Sequence, residues 1–255
     1  MRLDLASVLL QWSTGGLLGL WVTARHRVVG VGYGWLLRSV FGVLAIGGIA
    51  AGVADADHGA GATLRDAGAI CLVVATGVAL LVSVVRRRDL SSIPVWLDLV
   101  APAAGIVALL GAADAAGGDV ALAAGRLIVG AVFLGFVTDA MLLGHWYLVQ
   151  PGLSRGPLRE MIRLAALSWP VDVALLLVPP GMVSVLNGSI DDGYDGLLGW
   201  TWVVSAVTTI VLLLVAQRAL REREYSAVMS ATGLLYLAIL TAFGTDVLAR
   251  ALLAG

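Results

Sequence analysis

The chain has 255 residues, 60% of them hydrophobic and 13% charged, with a formal net charge of −1. A soluble domain carries about 25% charged residues, so almost no room is left for one, and near-neutral charge offers no basic face to nucleic acid. All 16 basic residues are arginine, which excludes lysine Schiff-base chemistry, that of retinal and pyridoxal phosphate included.

Eight apolar runs fill the chain, at about 5–24, 28–54, 67–85, 93–113, 120–149, 162–186, 197–217 and 226–250. A helix needs roughly 20 residues to cross the hydrocarbon core. The expected fold is all-α: a polytopic membrane protein with one transmembrane domain over 1–255, a bundle of eight helices in a lipid bilayer. Only Arg2 and Asp4 bring charge before the first run, which ends in Thr23-Ala24-Arg25-His26-Arg27 without a small-residue cleavage site. It reads as a retained span and not a signal peptide.

The short connectors sort by charge. Arg25 and Arg27 follow the first span, Arg86, Arg87 and Arg88 the third, Arg155, Arg159 and Arg163 the fifth, and Arg218, Arg221 and Arg223 the seventh. The others hold Asp55, Asp57, Asp66, Asp114, Asp119, Asp191, Asp192 and Asp195, opposed only by Arg65. Basic connectors stay in the cytoplasm. The alternation therefore predicts an inner (plasma) membrane protein with N-terminus and C-terminus both external. Trp21, Trp35, Trp96, Trp146 and Trp169 then fall near cytoplasmic ends, and Trp200 and Trp202 near an external one, as interfacial belts do. Trp12, near the middle of the first span, is the exception.

Gly15/Gly19, Gly30/Gly34 and Gly48/Gly52 have the spacing that lets helix backbones approach. Pro102 and Pro170 interrupt spans four and six, and Pro179-Pro180-Gly181 predicts a break or bend near the external end of span six. The single cysteine, Cys71, lies in an apolar run and reads as a buried small hydrophobe. Arg38, Gly42 and Gly47 recur as Arg126, Gly130 and Gly135 in an oppositely directed span, a faint trace of an inverted repeat.

The stretch from Asp119 to Pro151 organises the functional reading. It is a long apolar run that nevertheless contains Arg126, Asp139 and His145. Ionisable side chains at membrane depth are costly and mark function or a specific pairing. Counted along the spans at about 1.5 Å per residue, Arg38, Asp98, Asp139, His145 and Asp172 all fall in the cytoplasmic half or near the midplane. Arg38 is the only cation firmly at that depth and is expected to meet Asp139 or Asp172. Trp146 and Tyr147 adjoin His145. Arg126 lies near the external end and is expected to snorkel. Asp246 and Arg250, four apart at the external end of span eight, read as a surface pair.

There is no HExxH, no P-loop and no Gly-x-Ser-x-Gly elbow, and no metal-ligand or catalytic set. His58 is external, and His26 stands between two arginines, which disfavours bis-histidine haem with His145. The expected function is an integral membrane subunit handling protons or electrons, with a quinone as the cofactor that suits the Arg/Asp/His set and with other membrane or peripheral subunits as partners. His145 would exchange a proton with a quinone carbonyl, and Asp139 and Asp172 would relay it. Two alternatives stay open: a small proton-coupled secondary transporter, and an anchor or scaffold whose charges serve packing alone.

Overall fold

The computed structural model describes residues 4–55, 58–87, 93–222 and 224–254. Asp57, Arg88 and Arg223 of the charged connectors lie outside them. The described residues form helices only: α1 (Leu5–Ala24), α2 (Val31–Ala54), α3 (Ala60–Val85), α4 (Leu97–Ala116), α5 (Val120–Val149), α6 (Gly156–Leu177), α7 (Met182–Leu186), α8 (Leu197–Ala219) and α9 (Tyr225–Leu253). Seven of these, α1 to α5, α8 and α9, are long and apolar enough to cross a membrane, and the chain is a multi-pass membrane protein. Its contacts divide it into two compact units, Asp4–Asp139 and Ala140–Gly255.

Small residues hold many of the buried positions, while many large apolar side chains point out. On α3 the buried positions include Gly61, Ala62, Gly68, Ala69, Thr76, Ala79 and Ser83. Ile70, Val74, Val78, Leu81 and Val85 of the same helix are exposed. Lipid solvates large aliphatic side chains as well as a protein interior does, so close backbone approach decides which face turns inward. A Cβ added to Gly68 would lie 2.5 Å from the Ala108 nitrogen, and one on Gly111 2.3 Å from the Arg65 nitrogen. Cys71 belongs to the outward set. It is exposed, beside Ile70, Val74, Val78, Leu97 and Val100, and not buried as its apolar surroundings in sequence implied.

Helix ends in the first unit follow local chemistry. Asp4 caps α1, its Oδ1 accepting from the Ser7 nitrogen at 2.6 Å, which satisfies one of the free donors of the first turn. α3 starts at Ala60, earlier than the apolar run, so Arg65 and Asp66 lie inside the helix. Arg65 is 2% exposed, with Nε 2.9 Å from Asp66 Oδ1 and Nη2 donating to the Gly52 carbonyl at 3.3 Å. Trp12 is explained by α5: its Nε1 donates to Thr138 Oγ1 at 2.8 Å.

In the second unit, α6 stops at Leu177 before Pro179-Pro180, and α7 is a separate single turn. The run at 162–186 is thus not one continuous span. α6 has 22 residues but carries Arg159, Glu160, Arg163 and Asp172, which keeps it outside the seven apolar helices. Arg155 Nη2 donates to the Glu224 carbonyl at 2.8 Å, and Arg159 Nη2 to the Leu220 carbonyl. The arginines at the start of α6 therefore satisfy main-chain oxygens at the end of α8 and in the connector behind it. At the other end of α8, Asp192 accepts four main-chain N–H bonds: Oδ1 from Gly196 at 2.8 Å and Tyr194 at 3.0 Å, Oδ2 from Leu198 at 2.9 Å and Gly199 at 3.2 Å.

Candidate functional site

The seven side chains singled out in the sequence divide into four settings. The first is an ion pair. Arg38 Nε lies 3.0 Å from Asp98 Oδ1, and Nη2 lies 2.6 and 2.8 Å from the two carboxylate oxygens. The partner of Arg38 is thus Asp98, not Asp139 or Asp172. The reason is direction. Helical side chains lean toward the helix start, and the long arginine stem carries its head further that way. Asp98 waits there in the first turn of α4.

The Arg38–Asp98 pair lines a cavity of about 120 Å³ in the first unit, walled by Leu20, Val29, Val31, Tyr33, Ile93 and Pro94 among others. The arginine side chain is 8% exposed and the aspartate 13%. Among the described residues, Arg38 makes hydrogen bonds only to Asp98, through Nε and Nη2. Nη1 stands over Gly34, where an added Cβ would come within 2.7 Å of it. One edge of the guanidinium is therefore neutralised and the other is a donor without an acceptor. The cavity offers a largely apolar wall with Arg38 and Arg27 both in its lining, which suits a small solute with an apolar body and an acidic or strongly accepting end.

The second setting is Asp139 on α5. It is fully buried, and neither carboxyl oxygen has a hydrogen-bond partner among the described residues. Gly19 of α1 makes room for it: a Cβ there would lie 2.7 Å from Asp139 Oδ2. The Tyr33 hydroxyl donates to the Asp139 main-chain carbonyl at 3.4 Å, so the cavity wall and this carboxyl share one tyrosine. An uncompensated buried charge is expensive, so a group so placed serves a proton better than a fixed ion pair.

The third setting is the end of α5 in the second unit. His145 is exposed. Its Nδ1 lies 3.3 Å from the Tyr236 hydroxyl, with the rings edge to face at 6.4 Å. Trp146 Nε1 donates to Gln150 Oε1 at 3.1 Å, and the buried Tyr147 donates to the Ser154 carbonyl. Consecutive residues on a helix point about 100° apart, and these three find three different partners.

Asp172 supplies the fourth. α6 ends five residues beyond it, so it sits toward the C-terminal end of its helix. It lies within electrostatic reach of Asp246 and Arg250. Those two are no surface pair: Arg250 is wholly buried and Asp246 is 8% exposed, and they are joined at 2.7 Å. Sequence reasoning missed them. The signal was present in the Pro179-Pro180 break, which, taken as the end of the helix, puts Asp172 about as far from its end as Asp246 is from the end of α9.

Arg126 is also buried, at 4% exposure. It is attracted to Asp119, seven residues back on the same helix face. Among the described residues, no three His, Cys, Asp or Glu side chains converge on a metal position. Neither a protein-family model, nor a curated protein, nor a solved structure matches this chain.

Proposed function

We propose that the chain handles protons within the membrane as a small proton-coupled carrier, with the Arg38–Asp98 cavity as its solute site and Asp139 as its coupling carboxyl. The observation that carries this reading is the unpartnered Nη1 of Arg38 in a mainly apolar cavity, beside a tyrosine bonded to the main chain of Asp139. An anionic or accepting solute group would dock on Nη1. A proton taken up on Asp139 would offset the charge it brings. The arginine-rich connectors support an inner-membrane location with the cavity opening to the cytoplasm, both termini external, and α6 as the eighth crossing.

The test is uptake of radiolabelled small monocarboxylates into proteoliposomes under an imposed pH gradient. Accumulation should vanish when the gradient is collapsed and in Arg38→Gln, whereas Asp139→Asn should still exchange solute across the membrane without accumulating it. Gradient-independent behaviour identical in all three proteins would sink the idea.

A second reading, a quinone-interacting subunit of an electron-transfer complex with further membrane or peripheral subunits, rests on the His145–Tyr236 pair. Both side chains are exposed on apolar helices, where a lipid-soluble head group would approach. Co-purified quinone that is lost in His145→Ala would favour it; a quinone-free preparation with no redox-linked proton uptake would remove it.

A further inference from the structure

The end of the second unit where α6 begins and α8 stops carries a basic groove that the carrier cavity does not use. Two contacts fix how the helices lie. Arg159 Nη2 donates to the Leu220 carbonyl, and Trp169 Nε1 donates to the Ala206 carbonyl at 3.0 Å. The start of α6 therefore meets the end of α8, and the two run antiparallel. α8 is one of the seven helices long and apolar enough to cross a membrane, so the flank of α6 beside it lies at membrane depth.

Both helices turn a buried face inward, with Leu158, Ile162 and Ala165 on α6 and Leu213, Ala216 and Leu220 on α8. Arg159 is exposed yet reaches α8, so it marks the outer margin of that contact. Arg163 stands one turn further on and about 40° further from the buried face, at about 100° per residue. On α8, Thr209 bonds Thr241 of α9 at 2.7 Å and lies about 60° to one side of Ala206. Arg221 lies about 60° to the other side, away from α9, with Arg218 beyond it. For antiparallel neighbours that share a core, these outer flanks border one groove.

Arg163, Arg218 and Arg221 are exposed. Among the described residues their guanidiniums make no hydrogen bond or ion pair, and Glu160, Glu222 and Glu224 join none of them. Gln217, one turn before Arg221, has a buried Oε1 without a partner among the described residues. Deeper along the same flanks the groove turns apolar, with Pro170 on α6 and Leu214, Val211 and Val207 on α8 all exposed.

We propose that this groove holds an anionic phospholipid, its phosphodiester between Arg163 and the arginines of α8 and an acyl chain along the apolar part. Basic clefts between membrane helices take anionic head groups, and guanidinium matches a phosphate in charge and in geometry. Helical side chains lean toward their own helix start. Arg163 therefore leans out toward the head groups while Arg218 and Arg221 lean in, which directs the three toward one level. Like charges gathered there repel, and one shared phosphodiester relieves them together. A zwitterionic choline lipid brings a cation that gives the relief back. The Gln217 oxygen needs a donor, which the hydroxyls of a glycerol head group supply.

The experiment is native mass spectrometry of the full chain in detergent, titrated separately with phosphatidylglycerol and phosphatidylcholine. One phosphatidylglycerol should be retained in preference to phosphatidylcholine. Arg163→Gln and Arg218→Gln should each weaken that retention about fivefold, and Arg163→Lys should keep most of it. Removing two arginines elsewhere, with Arg86→Gln and Arg87→Gln together, should leave it unchanged. Melting temperatures measured before lipid is added should match wild type in the Arg163 and Arg218 variants, since both side chains are exposed. Equal retention of the two lipids, or an equal loss in the Arg86/Arg87 control, would overturn the assignment. So would glycerophosphate, the head group without its chains, if it bound as tightly as the lipid.

Discussion

Gly15 of α1 and Gly135 of α5 cross with their backbones in contact. A Cβ added to Gly135 would lie 2.1 Å from the Gly15 carbonyl carbon, and one added to Gly15 would lie 1.8 Å from the Ala131 oxygen. Neither distance leaves space for a methyl group, and the obstacle is backbone, which cannot rotate aside. Gly15→Ala or Gly135→Ala must push the helices apart and lose the Trp12–Thr138 bond. The expected loss exceeds the roughly 1–3 kcal/mol of ordinary overpacking. Thermal unfolding in detergent measures it, with Gly233→Ala, where an added Cβ meets nothing within 4 Å, as the neutral control.

The Arg38–Asp98 pair gives a second expectation. Asp98→Ala leaves a guanidinium that is 8% exposed without its counter-ion, a loss of about 3–5 kcal/mol. The double variant Arg38→Met with Asp98→Leu removes both charges and should recover most of that stability. A double-mutant cycle on unfolding free energies separates the coupling from the single effects. Additive losses would mean that the pair contributes no coupling.

Gly34 separates function from folding. A Cβ there would crowd Arg38 Nη1, the far end of a flexible side chain, which shifts at little cost. Gly34→Ala should therefore leave the melting temperature nearly unchanged while weakening solute binding on the order of tenfold, the effect of about 1.4 kcal/mol. Equilibrium binding of the transported carboxylate provides the check, and unaltered affinity would separate Nη1 from the solute.

Asp192 sets a pH expectation. Partial burial raises its pKa, but the N–H bonds from Gly196, Tyr194, Gly199 and Leu198 outweigh that and hold it below the usual carboxylate range. A carboxyl lowered on folding stabilises the fold above its unfolded value, near 3.9, and the contribution disappears as pH falls through the lowered folded value. Asp192→Asn should lower the melting temperature at neutral pH and narrow its gap to wild type toward strong acid. A gap of constant size from neutral to acid pH would show that the ionised form is not what α8 uses.

The helices were legible because the apolar runs and polar connectors leave few alternatives: α1 and α5 coincide with their predicted spans, and α8 and α9 differ only by fringe residues. The ion pairs were less so. Depth counted along a span locates a Cα, yet Arg38 acts several ångströms nearer the helix start, at Asp98. The apolar run at 162–186 puts Asp172 near mid-span, whereas α6 runs from Gly156 to Leu177 and leaves it five residues from the helix end. Which face a helix turns inward was also hidden. In α3 most large aliphatic side chains point outward, and small residues, with Leu72 and Arg65, mark the core side.

The order of synthesis gives α6 a particular difficulty. Among the described residues it is the one long helix that falls short of the apolar standard the others meet, and it leaves the ribosome well before Asp246 and Arg250 exist. A nascent chain halted ahead of α9 would present Asp172 to the bilayer without its companions. Stable residence of α6 should therefore await the final helix, so that truncation within α9 sends the whole second unit to quality-control proteolysis rather than merely shortening it.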